Sequence, residues 1–122
     1  MAEYIPVRIP GQALVAPASA TIVGGQVVAV SGSGTVAPAG AASVAWLGVA
    51  GFDAASGDQV TVHAGGTQEV TASGAITAGA VVVTAANGQV AAAGADPALG
   101  TQVGIALTTA ASGAKVRVQF DR

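Results

Sequence analysis

A chain of 122 residues is long enough for one domain, and its net charge of −2 comes from only 8 % charged residues. Ordinary soluble domains carry roughly 25 % charged residues, and four Lys and Arg are too few to neutralise a nucleic-acid backbone, so we expect no nucleic-acid partner. The absence of cysteine excludes disulfides, thiolate metal sites and thiol nucleophiles.

The predicted surface is polar but neutral, built from Thr, Ser, Gln, Gly and Ala. Such a surface suits permanent contact with other protein, although a compositional bias of the source genome toward Ala, Gly and Val explains it equally well. The most apolar window, residues 78–95, is rich in alanine, which is weakly hydrophobic, and is interrupted by polar residues. We therefore expect no membrane span and no membrane partner.

The first elements in chain order form an N-terminal leader. Residues 4–9 alternate in polarity, but Pro6 lies inside this stretch and Pro10 follows it. Proline cannot donate to a β-ladder, so residues 1–17 are predicted to be an extended arm or an edge strand. If the arm orders on another protein, the residues expected to make the contact are Tyr4, Ile5, Val7 and Arg8. A disordered or self-packed terminus is the competing interpretation.

The remainder, residues 18–122, is predicted to be a single β domain containing one unit written twice. The tetrapeptide Ala-Ala-Ser-Gly occurs at 54–57 and at 110–113, each time before a strand with period-two alternation. We predict a repeat over 18–62, a linker over 63–71 and a repeat over 72–118. The pairs of identical residues that carry this prediction include Ile22/Ile76, Gly25/Gly79, Val27/Val81, Val28/Val82, Gly34/Gly88, Gly48/Gly104, Val60/Val116 and Val62/Val118.

The spacing of strands and turns predicts the fold class. Val116, Val118 and Phe120 point to one side of the last strand, and Asn87-Gly88 is a strong hairpin signal. Glycines interrupt every candidate helix. We predict an all-β protein, a small β-barrel or sandwich made of two pseudo-twofold-related repeats, with an extended N-terminal arm.

Residues able to carry out chemistry are few and scattered. His63 is the single histidine, it lies at an outward strand position, and no G-x-S-x-G motif accompanies it. The six acidic residues show no metal-ligand spacing, and Lys115, the only lysine, is absent from both hairpin tips where a swinging-arm carrier would need it. We predict no enzyme activity, no metal and no cofactor.

The two repeats differ most at positions expected to face outward. The aromatic and acidic groups Trp46, Phe52 and Asp58 belong to the first repeat, whereas the basic groups Lys115 and Arg117 belong to the second. Two unlike faces on one subunit suit a head-to-tail contact, so these five residues are further interface candidates. For Trp46, a place in the core is an equally good interpretation.

Several of these motifs resemble the capsid cement or decoration proteins of tailed bacteriophages. They are I-T-A-G-A-V-V-V at 76–83, N-G-Q-V at 87–90, V-G-I-A-L at 103–107 and A-A-S-G-A-K-V-R-V at 110–118, with weaker counterparts in the first half. The resemblance implies a small β protein on the outer surface of the virion capsid. It further implies a homotrimer that holds adjacent major capsid subunits together.

We therefore predict a structural virion protein whose partners are the major capsid protein and copies of itself. The alternative is a β binding module of a phage tail or fibre that recognises glycan on the host surface. Glycan sites usually display several aromatic side chains on one face, and this chain has only four aromatic residues.

Overall fold

The computed structural model describes residues 3–8 and 11–122, so four positions of the predicted arm, residues 1, 2, 9 and 10, lie outside the described residues. Residues 3–8 form no strand. The rest of the described chain contains ten β-strands: β1 Leu14–Pro17, β2 Val27–Gly32, β3 Thr35–Pro38, β4 Trp46–Ala50, β5 Gln59–His63, β6 Thr67–Thr71, β7 Val81–Thr84, β8 Val90–Ala92, β9 Gln102–Ala106 and β10 Lys115–Phe120. The prediction of an all-β protein is confirmed.

The ten strands form two five-stranded antiparallel sheets with the same strand order. The first sheet runs β1-β5-β4-β2-β3, and the second runs β6-β10-β9-β7-β8. We call residues 14–63 the first half and residues 67–120 the second half. The strand β6, which lies in the stretch predicted as a linker, holds in the second sheet the place that β1 holds in the first.

The two sheets also agree in register, residue by residue. Ala16 pairs with Val60 in the first sheet, and the equivalent pair in the second is Val70 with Val116. The pairing register shifts once at the same place in each sheet. The shift lies between β2 and β4 after Val28, and between β7 and β9 after Val82. These matched pairings are the structural form of the duplication seen in the sequence.

The offset between equivalent residues changes once along the chain. Pro38 pairs with β2 and Ala92 pairs with β7, and these two equivalent residues are 54 positions apart. Val49 and Ile105 are the next equivalent pair, 56 positions apart. The two additional residues therefore lie in the loop before β9.

Each sheet curls until its outer strands meet. A parallel bridge joins Ala18, just after β1, to Val36 in β3, and the equivalent bridge joins Ala72 to Val90. Tight curling brings backbone segments close together, and this explains why the equivalent positions 48 and 104 are both glycine. A Cβ at Gly48 would overlap the carbonyl oxygen of His63, and a Cβ at Gly104 would overlap that of Gln119.

Two clusters of buried side chains form the core, and they divide unequally between the halves. One cluster lies entirely within the first half and includes Ile22, Val36 and Val60. The other combines second-half residues with side chains from β2 and β4 of the first half, among them Trp46. The halves therefore share a common core. Burial alternates strictly along β10, with Val116, Val118 and Phe120 inside, as predicted.

The Asn87-Gly88 turn has the backbone expected of a tight hairpin, since both residues adopt positive φ, 60° and 68°. None of the helical segments among the described residues is long and apolar enough to cross a membrane.

Candidate interaction surfaces

The boundary between the two halves is built around Trp46. This side chain is fully buried and its ring meets that of Phe120 edge-on, with centroids 5.8 Å apart. The indole Nε1 donates to the carbonyl oxygen of Gly100 at 3.2 Å. Of the two interpretations left open for Trp46, the structure shows the core one. Its side chain is therefore not available to a partner.

A polar contact beside Trp46 covers the end of the second half. The loop over residues 39–45, which we call the covering loop, packs on the β7–β8 hairpin. The hydroxyl of Thr84 donates to the carbonyl oxygen of Gly40 and accepts from the amide of Ser43, both at 2.8 Å. The amide of Gly88 donates to the carbonyl oxygen of Ala39 at 2.9 Å. The bonds to Gly40 and Ser43 satisfy the hydroxyl of Thr84, a residue that is only 1 % exposed.

The contacts across this boundary are not reciprocal. By the offsets given above, the counterpart of the covering loop is the loop over residues 93–101, and the counterpart of Thr84 is Val30. That loop does not cover Val30, because residues 94–100 are all exposed and Val30 is 48 % exposed. The halves meet through unlike surfaces, and each half retains one unused side of this contact.

The unused side of the first half is an apolar groove of about 330 Å³. It runs between β1 and the β2–β3 hairpin, and we call it the first-half groove. Val15 and Val30 are 59 % and 48 % exposed there, although both are apolar. Its lining residues are Leu14, Val15, Ala16, Val30, Gly34, Thr35, Val36 and Leu47. An exposed apolar concavity of this kind indicates a contact surface for protein.

The N-terminal arm supplies a second exposed apolar surface. Tyr4, Ile5 and Val7 are 86 %, 80 % and 102 % exposed. Arg8 Nη1 donates to the carbonyl oxygen of Gln12 at 3.1 Å, which brings the arm near the start of β1. The sequence named these four arm residues as contact candidates, and the structure leaves all of them on the surface.

The remaining candidate residues lie at separate places. Phe52 is 49 % exposed in the turn after β4, and the carboxylate of Asp58 accepts from the amide of Ala55 at 3.3 Å within its own turn. Lys115 Nζ donates to Thr71 Oγ1 at 3.0 Å. Arg117 forms a salt bridge of 3.2 Å with Glu69, and both side chains are more than half exposed. Asp58, Lys115 and Arg117 thus already have partners inside the chain.

The single histidine, His63, is the last residue of β5. Its side chain is outward and exposed on β5. Within residues 3–8 and 11–122, no group of three His, Cys, Asp or Glu side chains is placed to hold a metal ion. The surfaces described above are suited to binding protein.

Sequence reasoning missed the first-half groove and the exposed Leu99, which is 98 % exposed in the loop before β9. A signal was present in the repeat comparison. Val15 and Val30 are apolar, whereas their counterparts in the second half, Glu69 and Thr84, are polar. A core position shared by both halves is expected to be apolar in both, so this difference indicates an apolar surface that belongs to the first half alone.

The family is shown by a match over nearly the whole chain. Residues 9–120 match the family model described as phage cement protein. The chain belongs to the phage cement protein family. The resemblance predicted from the motifs is therefore confirmed. This is a family of structural phage virion proteins and not an enzyme family.

A solved structure agrees with the fold of this family member. The crystal structure of the N base of the head fiber gp8.5 of bacteriophage phi29 matches with a TM-score of 0.73. The match covers 90 % of this chain and 93 % of that chain at 22 % sequence identity, and it shows a common fold. No curated protein matches the chain. As a member of this family, the chain is a virion-associated structural protein.

Proposed function

We propose that this chain binds the outer surface of a phage head and strengthens the contacts between neighbouring major capsid subunits. Family membership and the exposed apolar arm support the proposal. Three large side chains of the arm, Tyr4, Ile5 and Val7, remain at least 80 % exposed. Burying each of them against a capsid subunit would contribute roughly 1.5–3 kcal/mol.

The position of the arm suggests how it binds. It leads toward β1, which is an outer strand of its sheet and pairs on one side with β5. An extended segment in this position can add a strand to the sheet edge of a capsid subunit while its side chains fill pockets. Ordering the arm costs about 1–2 kcal/mol per residue, so the net affinity of one arm is modest.

We further propose that the chain acts as a homotrimer. Three copies would present three arms to equivalent sites, and the second and third contacts would form at a high effective concentration. This converts modest single contacts into stable attachment. A trimer over a junction of capsid subunits would hold those subunits together.

The alternative function, recognition of glycan by a tail or fibre module, has less support. Trp46 is buried, and the exposed aromatic residues in the described chain are Tyr4 on the arm and Phe52 after β4. These two do not form the aromatic surface that glycan sites usually display.

The test is cosedimentation of the purified protein with phage heads that lack it. We expect saturable binding and added density on the outside of the shell in electron micrographs. Replacing Tyr4, Ile5 and Val7 together with Ser should abolish binding while the fold is kept. The matched control is Val23→Ser, which changes an apolar residue 53 % exposed elsewhere. Full binding by the arm variant would contradict the role of the arm, and absent binding by the wild type would contradict the function.

A further inference from the structure

Within the chain, the covering loop lies over a surface of the second half. The equivalent surface of the first half is not covered. The covered positions are Thr84, Gly88 and Val103, all of them buried. Their counterparts in the first half are Val30, Gly34 and Leu47, which are more exposed and all line the first-half groove. The first-half groove is therefore the same docking position, left without its covering loop.

The covering side has an open counterpart as well. By the same offsets the covering loop corresponds to residues 93–101, a stretch two residues longer, and the loop Gly94–Gly100 lies within it. Every residue of this loop is exposed, and Leu99, at its end, is 98 % exposed. A large apolar side chain held fully in water at a loop tip contributes nothing to the stability of the isolated chain.

We propose that the loop Gly94–Gly100 of one copy docks in the first-half groove of a second copy, with Leu99 inserted among the apolar side chains of the groove. The contact repeats between chains the arrangement that joins the two halves within a chain. The proposal rests on the self-association proposed above, for which it names the surfaces.

The chemistry of the two positions matches this pairing. Inside the chain, Thr84 binds the covering loop through its hydroxyl, with bonds to Gly40 and Ser43. Val30 has no hydroxyl. If the covering loop lay there, the backbone groups of the loop that bond to Thr84 would find no partner. An apolar side chain needs no hydrogen-bond partner and can therefore pack against Val30. The corresponding loop of the second half carries such a side chain, Leu99.

The electrostatics also favour this pairing over its reverse. At the position of Val15 in the groove, the second half carries Glu69, which is paired with Arg117. The second half therefore has an ion pair where the first half has apolar surface, and it cannot accept a leucine at that place. The contact is consequently head-to-tail, and such a contact closes into a ring when the rotation between copies allows it.

The experiment uses the absence of native cysteine. Two single variants of the full chain, Leu99→Cys and Val30→Cys, are mixed and treated with a short bifunctional maleimide, in solution and on phage heads. We expect a cross-linked dimer in the mixture that is several-fold more abundant than in either variant alone. The matched control replaces Leu99→Cys with Leu107→Cys, which alters a leucine 49 % exposed outside both surfaces.

The proposal is overturned if the mixture gives no more cross-linked dimer than the Leu107→Cys control both in solution and on heads. It is also overturned if Ile5→Cys, in the arm, is the partner that cross-links to Val30→Cys, because the arm then occupies the groove. A second variant, Leu99→Asp, should weaken self-association about tenfold or more by sedimentation equilibrium, since it removes the burial of one leucine.

Failure of this contact can be told apart from failure of the proposed function. Cosedimentation of the wild-type protein with heads is measured in the same experiment. Retained head binding without the Leu99–Val30 cross-link overturns the loop contact and leaves the head-binding role standing. Loss of wild-type binding counts against the head-binding role whatever the cross-link shows.

Discussion

Arg122 lies over the indole ring of Trp46, with its guanidinium carbon 4.2 Å from the ring centroid. The same guanidinium donates to three backbone carbonyl oxygens, those of Trp46 at 2.6 Å, Val44 at 3.2 Å and Gly100 at 3.3 Å. Val44 and Trp46 belong to the first half, whereas Arg122 follows β10 and Gly100 precedes β9. A single side chain after the last strand therefore ties the two halves together.

The first prediction concerns Arg122. Arg122→Ala should lower the free energy of unfolding by about 1–2 kcal/mol, because it removes the cation–π contact and several hydrogen bonds. Arg122→Lys should recover only part of this loss, since an ammonium group lacks the planar fork that reaches all three carbonyls. Urea unfolding monitored by circular dichroism measures both. Equal stability of the Lys variant and the wild type would show that the fork geometry is unimportant.

The second prediction concerns Trp46, the only tryptophan. Trp46→Ala should cost about 3–5 kcal/mol of stability, because it leaves a cavity at the boundary between the halves. Trp46→Phe should cost less, since it keeps most of the apolar volume but loses the hydrogen bond to Gly100. In the wild type, tryptophan emission should lie at short wavelength and move to longer wavelength on unfolding. Emission typical of an exposed indole in the native protein would contradict the buried position.

The third prediction tests the close backbone approach in the sheets. Gly104→Ala should destabilise the protein by several kcal/mol or prevent folding, because its Cβ would overlap the carbonyl oxygen of Gln119. Gly94→Ala is the matched control, since a Cβ there meets no atom within 4 Å. The control should change stability by at most about 0.5 kcal/mol. A well-folded Gly104→Ala protein of unchanged melting temperature would refute the packing described here.

The fourth prediction concerns the surface pair Arg117 and Glu69. Because both side chains are more than half exposed, a double-mutant cycle to Ala should give a coupling free energy below about 1 kcal/mol that falls with added salt. If Lys115 and Arg117 form an intermolecular contact, as their sequence pattern suggested, then replacing both with Ala should also lower the mass in solution. An unchanged oligomer distribution would remove these two residues from the interface.

The parts of the fold that the sequence predicted are those encoded by local patterns. Val116, Val118 and Phe120 alternate with polar residues, and a strand with one buried face follows directly from that period. The repeated tetrapeptide and the Val-Val pairs were sufficient to align the halves, and the sheet registers agree with that alignment. The role of β6 was less visible, because Thr67–Thr71 shares no identical residue with its counterpart at positions 13–17.

The contact surfaces were predicted less well, because they depend on residues that are far apart in the sequence. Trp46 is buried by Phe120 and Arg122, which lie more than 70 positions away, and no local pattern reports such partners. The first-half groove joins β1 to the β2–β3 hairpin through the curling of the sheet, which a one-dimensional pattern does not show. The exposure of the arm residues was easier to predict, because proline disfavours pairing within a sheet.

The most direct test of the central claim is the heat resistance of phage heads with and without this protein. Heads that lack it are incubated with the wild-type chain, and the temperature at which packaged DNA becomes accessible to an intercalating dye is measured. We predict that this temperature rises with added protein until the sites are saturated, and that the variant with Ser at positions 4, 5 and 7 produces no rise. An unchanged temperature at saturating wild-type protein would contradict a role in strengthening the capsid.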